Sequence, residues 1–143
     1  MASSPKHFLL LILFGIFLTT SDAVGLFDPE LLHVRMINDI GPGIDLIFHC
    51  FSGDDDLGEH KIGHQVSWGF KFYTNIWGTT LFYCSFAWQD KFYYFDIFVN
   101  KRDYDFDDVE EHPWYLWSIV PSGPCLLNNN TEQFDICYPW HSS

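Results

Sequence analysis

The sequence predicts an all-β fold: an antiparallel β-sandwich of about seven to eight strands closed by two disulfides. Three observations carry this. Apolar residues alternate with polar ones along several short segments, the period of a half-buried strand. Turn-forming residues interrupt these segments every ten or so positions, and no amphipathic helical pattern lies between them. Aromatic residues make up 20% of the 143-residue chain, enough to fill a core of modest size.

The chain begins with a segment that is not read as part of the fold. Lys6 and His7 precede an apolar run over 8–18, the length of a signal-peptide core and too short to span a bilayer. Ser21 and Ala23 are small and spaced as the −3 and −1 positions of a cleavage site. Residues 1–23 therefore read as a signal peptide and 24–143 as a single exported domain, with no membrane insertion once the leader is removed.

Residues 31–37 place Leu32, Val34 and Met36 on one face and His33 and Arg35 on the other. Turn residues follow over 38–43, then a strand over 44–51 with Ile44, Leu46, Phe48 and Cys50 inward. The chain then changes character sharply. Ser52 and Gly53 lead into Asp54, Asp55 and Asp56, then Leu57 and Gly58, which read as a tight acidic turn leaving the sandwich. Residues 65–73 give the cleanest alternation, with Val66, Trp68, Phe70 and Phe72 on a common face.

After a turn over 75–78, residues 79–88 carry apolar side chains on both faces, as expected of a central strand. A short polar turn, 89–91, joins it to a strand over 92–99 with Tyr93, Phe95, Ile97 and Val99 aligned. Residues 101–112 are acidic again, with Asp103, Asp105, Asp107 and Asp108 among them. Like charges so crowded resist burial, which predicts an exposed loop or a protected edge strand. Strands over 114–120, 125–127 and 132–138 complete the domain, separated by turns at 121–124 and 128–130.

All four cysteines, Cys50, Cys84, Cys125 and Cys137, lie beyond the leader, and an even count in a small exported domain reads as two disulfides. Three pairings are possible and the sequence alone does not choose. Joining Cys50 to Cys84 and Cys125 to Cys137 is favoured slightly over linking each early cysteine to a late one. The triplet Asn129-Asn130-Thr131 is a glycosylation sequon at Asn129.

The charge of −12 argues against nucleic acid as a partner, since a phosphate backbone demands a basic surface. Catalytic chemistry finds no support in the residue patterns. His49 and Cys50 are strand neighbours pointing to opposite faces, so they cannot form a thiolate pair. The spacing of 54–59 lacks the full calcium-loop pattern, and there is no Cys-x-x-Cys pair for zinc. No cofactor is implied. Trp77, Trp114 and Trp140 could stack on a sugar, which keeps a carbohydrate-binding module open as an alternative, beside a secreted hydrolase.

The ordered landmarks resemble the plant self-incompatibility S-protein homologues. The resemblance is carried by residues 34–39, by His49-Cys50 closing the second strand, and by Asp54-Asp55-Asp56-Leu57-Gly58. It continues through Trp68-Gly69-Phe70, residues 79–84, Trp88, Phe95-Asp96, Arg102-Asp103, Trp117-Ser118-Ile119 and residues 123–125. Many members carry a cysteine pair where residues 107–114 here have none, so no disulfide map is carried over. The resemblance implies a β-sandwich, an extracellular location, no enzymatic activity and a ligand-like role toward a membrane receptor protein. The acidic residues Asp54, Asp55, Asp56, Asp103, Asp105, Asp107 and Asp108 are the expected receptor contacts.

Overall fold

A computed structural model describes residues 30–105, 108–109 and 112–141. The signal-peptide assignment to 1–23, and Asp107, lie outside the described residues. The described chain forms nine strands and one helical turn: β1 (Leu31–Asn38), β2 (Leu46–Phe51), β3 (Asp56–Ile62), β4 (Ser67–Tyr73), β5 (Leu81–Trp88), β6 (Lys91–Val99), α1 (Asn100–Asp103), β7 (Trp114–Val120), β8 (Gly123–Asn128) and β9 (Gln133–Cys137). They build two sheets, ordered β4-β1-β7-β8-β9 and β3-β2-β5-β6. The fold is therefore the sandwich that alternation predicts, with one strand more than expected.

The inward faces follow the sequence period closely. Leu32, Val34 and Met36 from β1 meet Leu46, Phe48 and Cys50 from β2 and Phe82, Cys84, Phe86 and Trp88 from β5 in one core. Trp68, Phe70 and Phe72 from β4 pack against it half-buried, whereas Val66 lies outside the strand and is exposed. The core is largely aromatic: Phe72 sits 4.6 Å from Phe82 and 4.8 Å from Phe98, bridging the two sheets. Offset and edge-on ring pairs of this kind add about 0.5–1.5 kcal/mol each beyond the area they bury.

Several features depart from the sequence reading. Strand β3 occupies residues assigned to the acidic turn and its sequel. It is an edge strand, and only Ile62 at its end is buried, so it carries too little alternation to register as a strand. The outer face of β5 is open, with Leu81 and Tyr83 exposed, rather than covered on both sides. In the β5–β6 ladder Phe82 pairs with Phe98 but Tyr83 with Asp96, so Ile97 is the extra residue of a bulge. Ile97 and Phe98 are both buried in consequence, and Val99 is displaced from the inward set. Finally, β7 pairs with β1 in parallel, placing Tyr115 beside Val34 and Trp117 beside Met36. Among the described residues every other pairing is antiparallel.

Residues 121–124 do not form one long turn, because β8 already starts at Gly123. A Cβ at that position would stand 1.9 Å from the Tyr138 carbonyl oxygen, so only glycine lets the strand start beneath the C-terminal segment.

Cys50 bonds to Cys84 and Cys125 to Cys137, each between directly opposed residues of neighbouring strands. The two bridges differ in access. Cys50 and Cys84 are fully buried, while Cys137 is exposed on the edge strand β9. Thiol–disulfide exchange requires a thiolate to reach a sulfur. Under native conditions, a mild reductant followed by alkylation and mass spectrometry is expected to label Cys125 and Cys137 first. Cys50 and Cys84 should be labelled only when denaturant is added. Simultaneous labelling of all four without denaturant would contradict this placement.

Candidate partner-binding surface

The strand registers decide which loops meet. Phe51 at the end of β2 pairs with Tyr83, and Leu81 pairs with Val99. In the other sheet Leu31 pairs with Tyr73, His33 with Trp114, and Asn128 with Gln133 across the turn after β8. Phe72, Phe82, Phe98 and Tyr115 stack from one sheet to the other at this level. The loop over 52–55, the connection over 74–80, the described residues between β6 and β7 (100–105, 108–109 and 112–113) and the turn over 129–132 thus emerge at one end of the sandwich. Two acidic stretches far apart in sequence are brought to a common end.

The loop at 52–55 is short and held by its own hydrogen bonds. The Ser52 hydroxyl accepts from the Asp55 amide at 3.0 Å, and the Ser52 amide donates to the Asp55 carbonyl at 2.8 Å. Asp54 and Asp55 stand exposed at its tip. Asp56 is already in β3, where its carboxylate accepts from His49 at 2.5 Å and from the Gly58 amide at 2.8 Å. These bonds, that from His49 foremost, hold its carboxyl below the ordinary carboxylate range.

In the second acidic stretch the side chains have different fates. Asp103 is not at the surface. Only 2% of its side chain is exposed; it takes two hydrogen bonds from Arg102 at 2.7 and 2.8 Å and one from the Val99 amide at 2.7 Å. Asp103 is therefore a structural partner of Arg102 and is removed from the contact set. Asp105 and Asp108 are exposed, and the Asp105 carbonyl accepts from the amides of Asp108 and Val109. Val109 is buried and pins this turn to the core. A cleft of about 390 Å³ lies beside it, lined by Asp105, Asp108, His112, Trp114 and Asn129 among others. The Tyr115 hydroxyl donates to the Asp103 carbonyl at 3.0 Å. Burial, followed by the charges of Asp103 and Asp108, pushes its pKa up to about 12.

Asn129 is exposed in the turn between β8 and β9, at this same end. Of the tryptophans singled out in the sequence, Trp140 is structural: it packs on Phe86, Trp88 and Tyr93 and donates to the Pro121 carbonyl at 3.0 Å. Trp114 stacks on His33 at 4.0 Å. Trp77 points outward on the 74–80 connection. No group of three or more His, Cys, Asp or Glu suited to a metal ion occurs among the described residues. Ile76, which the sequence reading did not single out, is exposed beside Trp77; an apolar residue in a turn was the available signal.

The geometry defines a small, doubly cross-linked β-sandwich with an acidic loop end. The profile described as plant self-incompatibility protein S1 matches residues 33–140, and the chain belongs to this family. It is 36% identical to S-protein homolog 2 of Arabidopsis thaliana, over 97% of each chain. It is 41% identical to S-protein homolog 20 of the same plant, over 97% of this chain and 96% of that one. A solved structure of an SPH (self-incompatibility protein homologue) protein, from what is described as a widespread family of small, highly stable, secreted plant proteins, matches the fold. The TM-score is 0.54 at 20% identity, over 80% of this chain and 97% of that chain.

Proposed function

We propose that this protein is a secreted, non-enzymatic recognition ligand whose acidic loop end meets a basic surface on a cell-surface receptor. The observation that carries the reading is the convergence of Asp54, Asp55, Asp56, Asp105 and Asp108 at one end of the sandwich. Apart from Asp56, which His49 and the Gly58 amide hold in β3, these are exposed like charges on loops that do little for the stability of the fold. They do create a field that speeds and orients encounter with an oppositely charged patch. Export is supported by the leader-like sequence at 1–23 and by the description of the SPH structure as that of a secreted protein. Asn129 would carry its glycan beside the Asp108 cleft, leaving the Asp54–Asp55 side open.

The test is binding of fluorescently labelled, oxidised protein to plant protoplasts across a range of salt. Wild type is expected to bind saturably, with affinity that falls as salt rises. Changing Asp54, Asp55, Asp105 and Asp108 together to asparagine should weaken binding about tenfold or more at low salt and flatten the salt dependence. Equal affinity and equal salt slope for the two proteins would reject the acidic end as the contact surface.

A further inference from the structure

The connection between β4 and β5 carries the two most exposed large apolar side chains among the described residues: Ile76 at 89% and Trp77 at 79%. Turns are normally polar, because their backbone is solvated and their side chains have no core to enter. Here two adjacent bulky apolar groups occupy the apex.

The apex is held rigidly by its flanks and not by the two apolar side chains themselves. The Asn75 side chain accepts from the Thr79 amide at 3.0 Å and donates to the Thr79 hydroxyl at 3.0 Å. The Asn75 amide donates to the Thr80 hydroxyl at 2.8 Å, and the Gly78 amide to the Asn75 carbonyl at 3.4 Å. Gly78 closes the turn at φ +64°, a conformation other residues rarely adopt. A clamped turn of this kind loses little freedom when it docks, which is where much affinity is otherwise lost.

Beside the turn lies a second cleft, of about 640 Å³, between it and the 52–55 loop. Tyr73, Leu81 and Tyr83 give it apolar walls, Lys71 lines it from β4, and Asp54 and Asp55 line it on the loop side. An apolar prong thus stands next to an acidic-rimmed cleft.

We propose that Ile76 and Trp77 are the anchor by which this protein docks on a protein partner. The partner's matching surface is an apolar pocket that receives the prong, bordered by a lysine or arginine that enters the Asp54–Asp55 cleft. This rests on the receptor-ligand reading and names the part of that surface where the affinity is concentrated. Tryptophan is enriched among residues that dominate binding energy, and a surrounding charged rim excludes water from such an anchor. Charge decides between a protein and a bilayer. Trp77 could enter a lipid interface, but the neighbouring Asp54 and Asp55 would be repelled by an anionic membrane surface.

The test uses the labelled, oxidised full-length mature protein on three probes: intact protoplasts, protease-treated protoplasts, and vesicles of phosphatidylcholine with phosphatidylserine. Trp77→Ala is expected to weaken saturable binding to intact protoplasts about thirtyfold with an unchanged thermal midpoint. Asn75→Ala, which loosens the clamp but keeps the prong, should fall between the two. Phe92→Ala, exposed on the outer face of the four-stranded sheet, should bind as wild type does. If wild type shows no saturable binding, the receptor-ligand reading falls and this proposal with it. If wild type binds and Trp77→Ala binds equally, or Phe92→Ala loses as much, the anchor alone is overturned. Trp77-dependent binding that survives protease treatment or appears on vesicles would make the partner a glycan or a lipid, and would overturn the proposal.

Discussion

Replacing Arg102 by methionine is expected to destabilise the protein by about 3–5 kcal/mol, read as a fall in the denaturant midpoint. The guanidinium lies where the edge strand β6 faces β7 of the other sheet. Its carbon stands 5.1 Å from the Phe95 ring centroid, 5.4 Å from that of Trp117 and 5.0 Å from that of Tyr138. Its nitrogens grip both carboxylate oxygens of Asp103 and the Asp96 carbonyl, the last at 2.8 Å. Methionine would keep the contact volume but leave a nearly buried carboxylate with the Val99 amide at 2.7 Å as its remaining protein donor. An uncompensated buried charge costs far more than the pair gains over apolar replacements.

Two companions separate the causes. Arg102→Lys keeps the charge but loses the planar fork and the stacking, so it should still be clearly destabilised. Pairing Arg102→Met with Asp103→Asn removes the stranded charge and should recover a large part of the loss. A cost below about 1 kcal/mol for Arg102→Met would mean that the pair behaves as a surface ion pair.

Removing the Cys50–Cys84 bridge by changing both residues to alanine is expected to cost about 4 kcal/mol, against about 3 kcal/mol for the Cys125–Cys137 pair. The difference follows from loop length: the first bridge spans a sequence separation of 34 and the second one of 12, so the first restricts the unfolded chain more. The first bridge also sits in the core, where truncation to alanine leaves unfilled space. With typical domains stable by about 5–15 kcal/mol, this loss would leave the protein close to its folding threshold. Equilibrium unfolding of the two double variants gives the comparison directly. A larger loss for the Cys125–Cys137 variant would show that the unfolded state is not what the first bridge constrains.

Much of this molecule was legible in its sequence, because the relevant physics is local. A strand half in water must alternate, so Leu32, Val34 and Met36, or Leu46, Phe48 and Cys50, announce both their strand and its buried face. Cross-linking follows from the even cysteine count of a small domain. Family membership was legible too, from the order of landmarks between Val34 and Cys125.

What the sequence could not decide depends on pairing between distant segments. Strand β3 lies at a sheet edge and needs little apolar patterning, so its acidic start read as a turn. The parallel alignment of β7 with β1 has no local signal, because nothing within either strand records its neighbour's direction. That alignment and the registers around it carry Asp105 and Asp108 to the same end as Asp54 and Asp55. Five residues before Asp108, Asp103 is drawn inward by Arg102, which is itself held over rings from two strands, β6 and β7, and from the C-terminal segment. Charge and composition are properties of the residues themselves; which carboxylates face solvent together is settled only when the two sheets close on one another.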